Sequence, residues 1–309
     1  MGKIIRIGTR ESELALWQAK TVQSKLEGLG CDTILVPITS TGDQILDKPL
    51  YELGVTGIFT KTLDIALLKG QIDIAVHSMK DVPTQLPQGI VQAAVLERAD
   101  STDILVHKGV DFLSSEAGNI TIATGSLRRK AQWLHRYPHH KVVDLRGNVN
   151  TRLLKLIEND CQGAIFAKAG LQRIKLLPKD ALDLDWMVPA PAQGAMVVVT
   201  TNSDDYCKEA LGQINHQPTE VETQIERDFL RTLEGGCTAP IGAIAKLKNQ
   251  SVYFKGCLFS LDGKEKIEVE KTITPKDISD FGRRCANEVL DSGGKILMQH
   301  IRDENSAVH

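Results

Sequence analysis

The chain has 309 residues, 42% of them hydrophobic and 25% charged, with a formal net charge of −2 at pH 7. That length exceeds what one hydrophobic core usually serves, so two or three globular domains are expected. The near-neutral balance and an aromatic content of only 5% argue against a nucleic-acid binder.

The order of elements starts with an apolar strand at 4–8, followed without a signal-peptide core or membrane-length run by a helical pattern at 13–29. A cytoplasmic protein with no membrane contact is therefore expected. A second strand at 33–38 completes a strand–helix–strand unit, and ligands of such units gather beyond the carboxyl ends of the strands. Arg10 and Ser12 stand at that position, although a solvated loop arginine would look the same. Residues 39–57 hold several glycines and little periodicity, which reads as a mobile lid. A helix at 59–68 and a strand at 72–76 follow, and the strand delivers Ser78, Lys80 and Asp81. An acid and a base side by side after a buried strand suit either a chemical edge or a surface turn.

Strands at 90–96 and 103–107 flank a polar stretch at 98–102, where the chain is expected to enter a second domain. A strand at 119–123 runs into Thr124-Gly125-Ser126, which caps a helix carrying Arg128 and Arg129 in its first turn. Two arginines at a helix N-terminus oppose the helix dipole, which suggests that a bound anion offsets them. A strand at 142–145 ends in Arg146, a helix carries Arg152, and a strand at 164–167 precedes Arg173. Arginine thus recurs just past strand ends. Either these side chains form a solvated basic face, or they line one cleft that takes carboxylates or phosphates, which the guanidinium fork suits.

The proline- and alanine-rich stretch 187–193 reads as the crossing back, followed by a strand at 195–200 and a helix at 204–214. Residues 216–218 look like a linker. Beyond it come a helix at 219–233, three strands (242–247, 251–258 and 266–273), a helix from 277, and a frayed polar tail at 302–309. The domains read as 1–98 with 192–215, 99–191, and 216–309. The fold class is α/β: two doubly wound, periplasmic-binding-protein-like domains and a smaller α+β C-terminal domain.

Six scattered cysteines (Cys31, Cys161, Cys207, Cys237, Cys257 and Cys285) form no CxxC pair, which suggests neither a disulfide framework nor a metal site and fits a reducing compartment. Cys237 sits in the loop Leu-Glu-Gly-Gly-Cys-Thr-Ala-Pro-Ile-Gly at 233–242. Gly235 is placed to cap the preceding helix with positive φ, and Pro240 prevents a return to helix. A cysteine behind a helix C-terminus is poorly placed to be a thiolate nucleophile. It is either a half-buried structural residue or one that carries a group covalently.

Along most of its length the chain resembles the porphobilinogen deaminase (hydroxymethylbilane synthase) family. The resemblance is carried by LEGGCTAPIG at 233–242, RIGTRESELALWQA at 6–19, GIFTK at 57–61 and DIAVHSMKDVP at 73–83. It continues through TGSLRR at 124–129, LRGNVNTRL at 145–153, AGLQR at 169–173 and PAQGA at 191–195. It implies a transferase that condenses four porphobilinogen molecules, with loss of ammonia, into the linear tetrapyrrole hydroxymethylbilane. The chain is primed by a dipyrromethane cofactor joined by a thioether to Cys237, with no metal, in a monomer. The resemblance further implies Asp81 as the catalytic group. It assigns Lys80, Ser78, Thr124, Ser126, Arg128, Arg129 and Arg146 to the cofactor. To the substrate it assigns Arg10, Ser12, Gln18, Phe59, Arg146, Arg152, Arg173 and Gln193. Two positions depart from the family pattern. Thr56 replaces a lid lysine, and Ala192 replaces the glycine before Gln193. Two lobes joined by two crossings also describe a flytrap-type anion receptor, but that reading needs neither Asp81 nor the Cys237 loop.

Overall fold

The computed structural model describes residues 3–39, 60–113, 120–234, 239–248, 250–274, 276 and 278–307. The lid expected at 39–57, except Thr39 itself, and Phe59 and Cys237 lie outside the described residues.

The first sheet has the order β2-β1-β3-β10-β4. Strands β1 (Ile5–Thr9), β2 (Thr33–Pro37) and β3 (Ile74–Ser78) are parallel, and β10 (Met196–Thr201) runs antiparallel to β3 and to β4 (Ile90–Val95). Nearly continuous apolar runs such as Met196-Val197-Val198-Val199 follow from burial on both faces. On one face α1 (Glu13–Glu27), capped by Ser12 with Glu13 in its first turn, buries Ala15, Ala19, Val22 and Leu26, joined there by α6 (Asp205–Gly212). On the other, α2 (Lys61–Leu68) contributes Leu63, Ala66 and Leu67. Each fully buried valine or leucine among them contributes about 1.5–3 kcal/mol.

The second sheet repeats the plan as β7-β6-β8-β5-β9. Here β6 (Thr121–Ala123), β7 (Lys141–Val143) and β8 (Gly163–Ala167) are parallel, and β5 (Asp103–His107) is antiparallel to β8 and to β9 (Leu182–Asp183). Helices α3 (Leu127–Arg136), α4 (Val149–Glu158) and α5 (Lys168–Arg173) follow β6, β7 and β8. The chain passes to this sheet between β4 and β5 and returns before β10, so each sheet receives its antiparallel inner strand from a crossing.

The third sheet is an antiparallel meander of β11 (Ile241–Lys248), β12 (Ser251–Phe259) and β13 (Lys266–Ile273). It packs on α7 (Gln217–Thr232) and α8 (Phe281–Val289) around Phe229, Phe254 and Phe281. Gly282 lets α8 cross α7 closely, because a Cβ there would lie 2.1 Å from the Ile225 carbonyl oxygen.

Local details correct two expectations. Residues 216–218 are no linker: His216 caps α7, and Gln217 and Pro218 form its first turn, where proline's missing N–H costs nothing. After α7, Glu234 takes a left-handed conformation (φ 53), while Gly235, expected to do so, lies outside the described residues. The C-terminal helix begins at Phe281, turns at Gly293 (φ 103), and continues as α9 (Lys295–Ala307), so the stretch expected to fray is helical through Ala307.

One carboxylate ties both crossings to the third sheet. Glu226, fully buried on α7, pairs with Arg98 through two bonds of 2.6 and 3.0 Å and accepts the amides of Ala192 at 2.6 Å and Ala245 at 2.7 Å. Arg98 also donates to the Gln193 carbonyl at 2.8 Å. Ala192 holds φ 62 at this knot, a left-handed conformation that a glycine would adopt without steric cost. Glu226→Ala would leave a buried guanidinium and two buried amides unpaired. We expect a loss of about 3–5 kcal/mol, read as a lower denaturant midpoint, and a loss below about 1 kcal/mol would mean the pair is dispensable.

Candidate active site

The parallel strands of both sheets point their carboxyl ends at one cleft, and the side chains there come from both lobes. From the first lobe, Arg10 follows β1, while Lys80 and Asp81 lie in a single 3-10 turn, Met79–Asp81, directly after β3. From the second, α3 begins at the Ser126 cap with Arg128 and Arg129 in its first turn, and α4 begins at the Asn148 cap and carries Arg152. Gly147 (φ 114) makes the bend after Arg146, and the Arg152 Nε donates to its carbonyl at 2.7 Å.

Electrostatics show which groups converge. Burial lowers the Arg152 guanidinium to about 10; Arg129, Arg146 and Arg10 push in the same direction, and Asp81 opposes them. Burial also lowers the Lys80 ammonium to about 8, with Arg129 and Arg128 adding to the effect and Asp81 and Asp103 opposing it. Arg10, Lys80, Arg128, Arg129, Arg146 and Arg152 thus share a field with the carboxylates of Asp81 and Asp103, so the cations outnumber the anions in this group. Such an excess of fixed cations is suited to a ligand carrying several carboxylates.

Asp103 went unnoticed in the sequence. It opens β5 with no exposed surface and accepts from Arg128 Nη1 at 2.7 Å, Arg129 Nε at 2.9 Å and Gln193 Nε2 at 2.9 Å. Burial alone would raise its carboxyl; the two guanidinium groups outweigh that and hold it well below the usual range. Arg128 Nη1 also donates to the Val188 carbonyl at 2.7 Å, and Arg129 Nη1 to that of Ile165 at 3.0 Å. The two arginines are therefore pinned, not floating, side chains. The Arg128 Nε is buried with no hydrogen-bond partner among the described residues, an unsatisfied donor that a bound carboxylate would satisfy.

Other expected site residues are placed as follows. Gln18 Nε2 donates to Ser78 Oγ at 2.9 Å, which joins α1 to the end of β3. Gln193 accepts from Lys80 Nζ at 3.2 Å while donating to Asp103, so it links the turn after β3 in one lobe to the arginine anchor of the other. Ser12 and Ser126 accept the amides of Ala15 and Arg129 at 3.4 Å each, and Thr124 Oγ1 accepts the Ser126 amide at 3.3 Å. All three hydroxyls keep a hydrogen to donate. Arg173 is not brought into the cation cluster. Its Nη2 donates to the Gly194 carbonyl at 2.7 Å and its guanidinium lies over the Trp17 ring, 5.4 Å from the centroid, so it bridges α5, α1 and the return crossing.

Among the described residues no group of three or more His, Cys, Asp or Glu side chains could hold a metal ion, and no helix is long and apolar enough to cross a membrane. Burial raises the thiols of Cys207 and Cys257 to about 12 and that of Cys285 to about 11, which keeps them protonated and inert.

Comparison with known proteins finds relatives along nearly the whole chain. A family model described as "Porphobilinogen deaminase, dipyromethane cofactor binding domain" matches residues 5–209, and one described as "Porphobilinogen deaminase, C-terminal domain" matches residues 221–291. A porphobilinogen deaminase of Chloroherpeton thalassium is 39% identical over 99% of this chain and 100% of its own length. One from Syntrophotalea carbinolica is 43% identical over 95% of each chain, and the chloroplastic protein of Oryza sativa subsp. japonica is 43% identical over 94% of this chain and 84% of its own.

Proposed function

The chain belongs to the porphobilinogen deaminase family, and we propose that Asp81 is the carboxylate on which its chemistry turns. The protein is a transferase that condenses four porphobilinogen molecules, with release of ammonia, into hydroxymethylbilane, primed by a dipyrromethane cofactor. A flytrap receptor without catalysis is set aside. The observation that carries the proposal is the convergence of cations from both lobes around Asp81.

When bound, the dipyrromethane supplies the nucleophilic pyrrole carbon that starts the chain. Arg128, Arg129 and Lys80 would hold its carboxylates, with the Thr124 and Ser126 hydroxyls donating beside them, and Lys80 would also reach a carboxylate of the chain as porphobilinogen is added. Arg10, Arg146 and Arg152 would bind the acetate and propionate groups of the incoming substrate, and Ser12 and Gln18 would add donors there. Arg173 acts on the cleft by holding the lobes together over Trp17. Asp81 faces the pyrrole N–H of porphobilinogen. As the carbon–nitrogen bond of the aminomethyl group breaks, positive charge spreads to that nitrogen, and the fixed carboxylate stabilises charge that exists only on the way to the transition state. The same carboxylate relays the proton that ammonia takes away and the one lost when the new bond's carbon regains aromaticity. Cys237 carries the cofactor through a thioether, the role that the likeness of its loop at 233–242 to the family's implies. The domains divide at 1–98 with 192–215, 99–191, and 216–309, in a cytoplasmic monomer.

The division of labour among arginines has a direct test. One lost charge-assisted contact costs about 1.5–3 kcal/mol, or roughly ten- to a hundredfold. Arg128→Leu should accumulate protein without cofactor, whereas Arg10→Leu should be loaded but elongate at roughly a tenth of the normal rate or less. Normal loading and turnover in both variants would rule out the polyanion cleft.

Lys80 adds a pH dependence. Below about 8 its ammonium is charged and binds a chain carboxylate, and above that value the contact is lost. The KM for porphobilinogen should rise up to about tenfold between pH 7 and pH 9, and Lys80→Arg should flatten the rise because guanidinium stays charged. A wild-type KM that is flat over that range would remove Lys80 from the binding site.

A further inference from the structure

The turn that carries Asp81 has few bonds of its own. Met79 N–H donates to the Ala195 carbonyl at 3.0 Å, and Val82 N–H closes the turn onto the Met79 carbonyl at 3.2 Å. Pro83 then removes the next backbone donor. Three further bonds come from one side chain in the third unit. Arg227, on α7, donates through Nη1 to the carbonyls of Met79 at 3.2 Å and Val82 at 3.0 Å, and through Nη2 to that of Pro83 at 2.6 Å. Its guanidinium is half-buried, and although burial lowers it to about 10 it stays charged at neutral pH. Charge-assisted bonds of this kind from a planar fork fix direction as well as distance.

The position of Arg227 along α7 gives the clamp a second meaning. The preceding residue, Glu226, holds both interlobe crossings, and within two residues of the helix end the chain enters the loop that bears Cys237. A single rigid helix therefore fixes the backbone on both sides of Asp81 and the base of the cofactor loop.

We propose that Arg227 is a positioning residue for Asp81: by gripping the carbonyls of Met79, Val82 and Pro83 it sets where the carboxylate stands relative to a cofactor anchored on the same unit. The proposal rests on the reading of Asp81 as the catalytic carboxylate. It predicts a defect in rate, not in binding or loading, because small displacements of a reacting group cost up to about a hundredfold while leaving ground-state contacts intact.

The test uses cofactor-loaded enzyme, with loading measured by intact mass, and compares wild type, Arg227→Gln and Arg227→Lys. In Arg227→Gln, kcat should fall about ten- to a hundredfold while KM stays within about twofold of wild type and loading is unchanged. Arg227→Lys retains charge without the fork and should recover part of the rate. A clamp that works through Asp81 should lose its effect once the carboxylate is already misplaced, so Arg227→Gln in an Asp81→Glu background should cost less than about threefold more. Equal losses in both backgrounds, or a kcat within about twofold of wild type, would overturn the positioning role. If Asp81→Asn enzyme turns over normally, the failure lies instead in the reading of Asp81 on which the clamp rests.

Discussion

Asp81→Asn should leave the protein folded and loaded with cofactor while condensation falls on the order of a hundred- to a thousandfold, as when a preorganised charge-stabilising group is removed from an active site. The asparagine keeps size and hydrogen bonding and removes only the charge. The cations around it make the effect specific. Arg152 and Lys80 both feel the Asp81 charge, in a cleft where burial lowers the proton affinity of each. A carboxylate fixed amid such cations is placed to meet positive charge developing on the substrate. Asp81→Glu keeps the charge but displaces it by one methylene, so it should retain only a small fraction of the rate. Measuring tetrapyrrole formation and cofactor loading together separates the two effects. A loaded Asn variant as fast as wild type would remove Asp81 from the reaction.

The lobes were legible in the sequence because their strands are buried on both faces and read as apolar runs, each delivering polar residues at its carboxyl end. Arg10, Lys80, Asp81, Arg128, Arg146 and Arg152 could be placed on that basis, since a parallel strand followed by a helix fixes where the next residues go. What could not be read were partnerships made far along the chain. Asp103 looks like the first residue of an ordinary strand, yet it anchors Arg128 and Arg129, some 25 residues on, and Gln193, 90 residues on. Arg173 follows the same strand-end rule as its neighbours but turns to Trp17 and Gly194 instead of the cation cluster. Glu226 left one usable sign, an acid on the apolar stripe of α7 formed by Ile225, Phe229 and Leu233, where a charge must find a partner. Arg227 left none, because its acceptors are backbone carbonyls that no side-chain pattern reports. The helix start at Gln217 was misplaced for a local reason. Proline is as much at home in a helix's first turn as in a linker.

The other large effect is expected at Cys237, between Glu234, which ends the turn after α7, and the buried Ala239, which leads into β11. Cys237→Ser preserves size and polarity but replaces the sulfur needed for a thioether, so the variant should fold, carry no cofactor and make no tetrapyrrole. Pinned arginines around Asp103 would then face each other without the carboxylates that offset them, and the variant should also bind added polycarboxylates more readily than loaded wild type. Intact mass spectrometry of the denatured protein, purified from cells that make porphobilinogen, reads the attachment directly. Wild type should be heavier than its sequence by two condensed pyrrole units and Cys237→Ser should match its sequence, whereas a wild-type chain of unmodified mass would contradict covalent priming at Cys237.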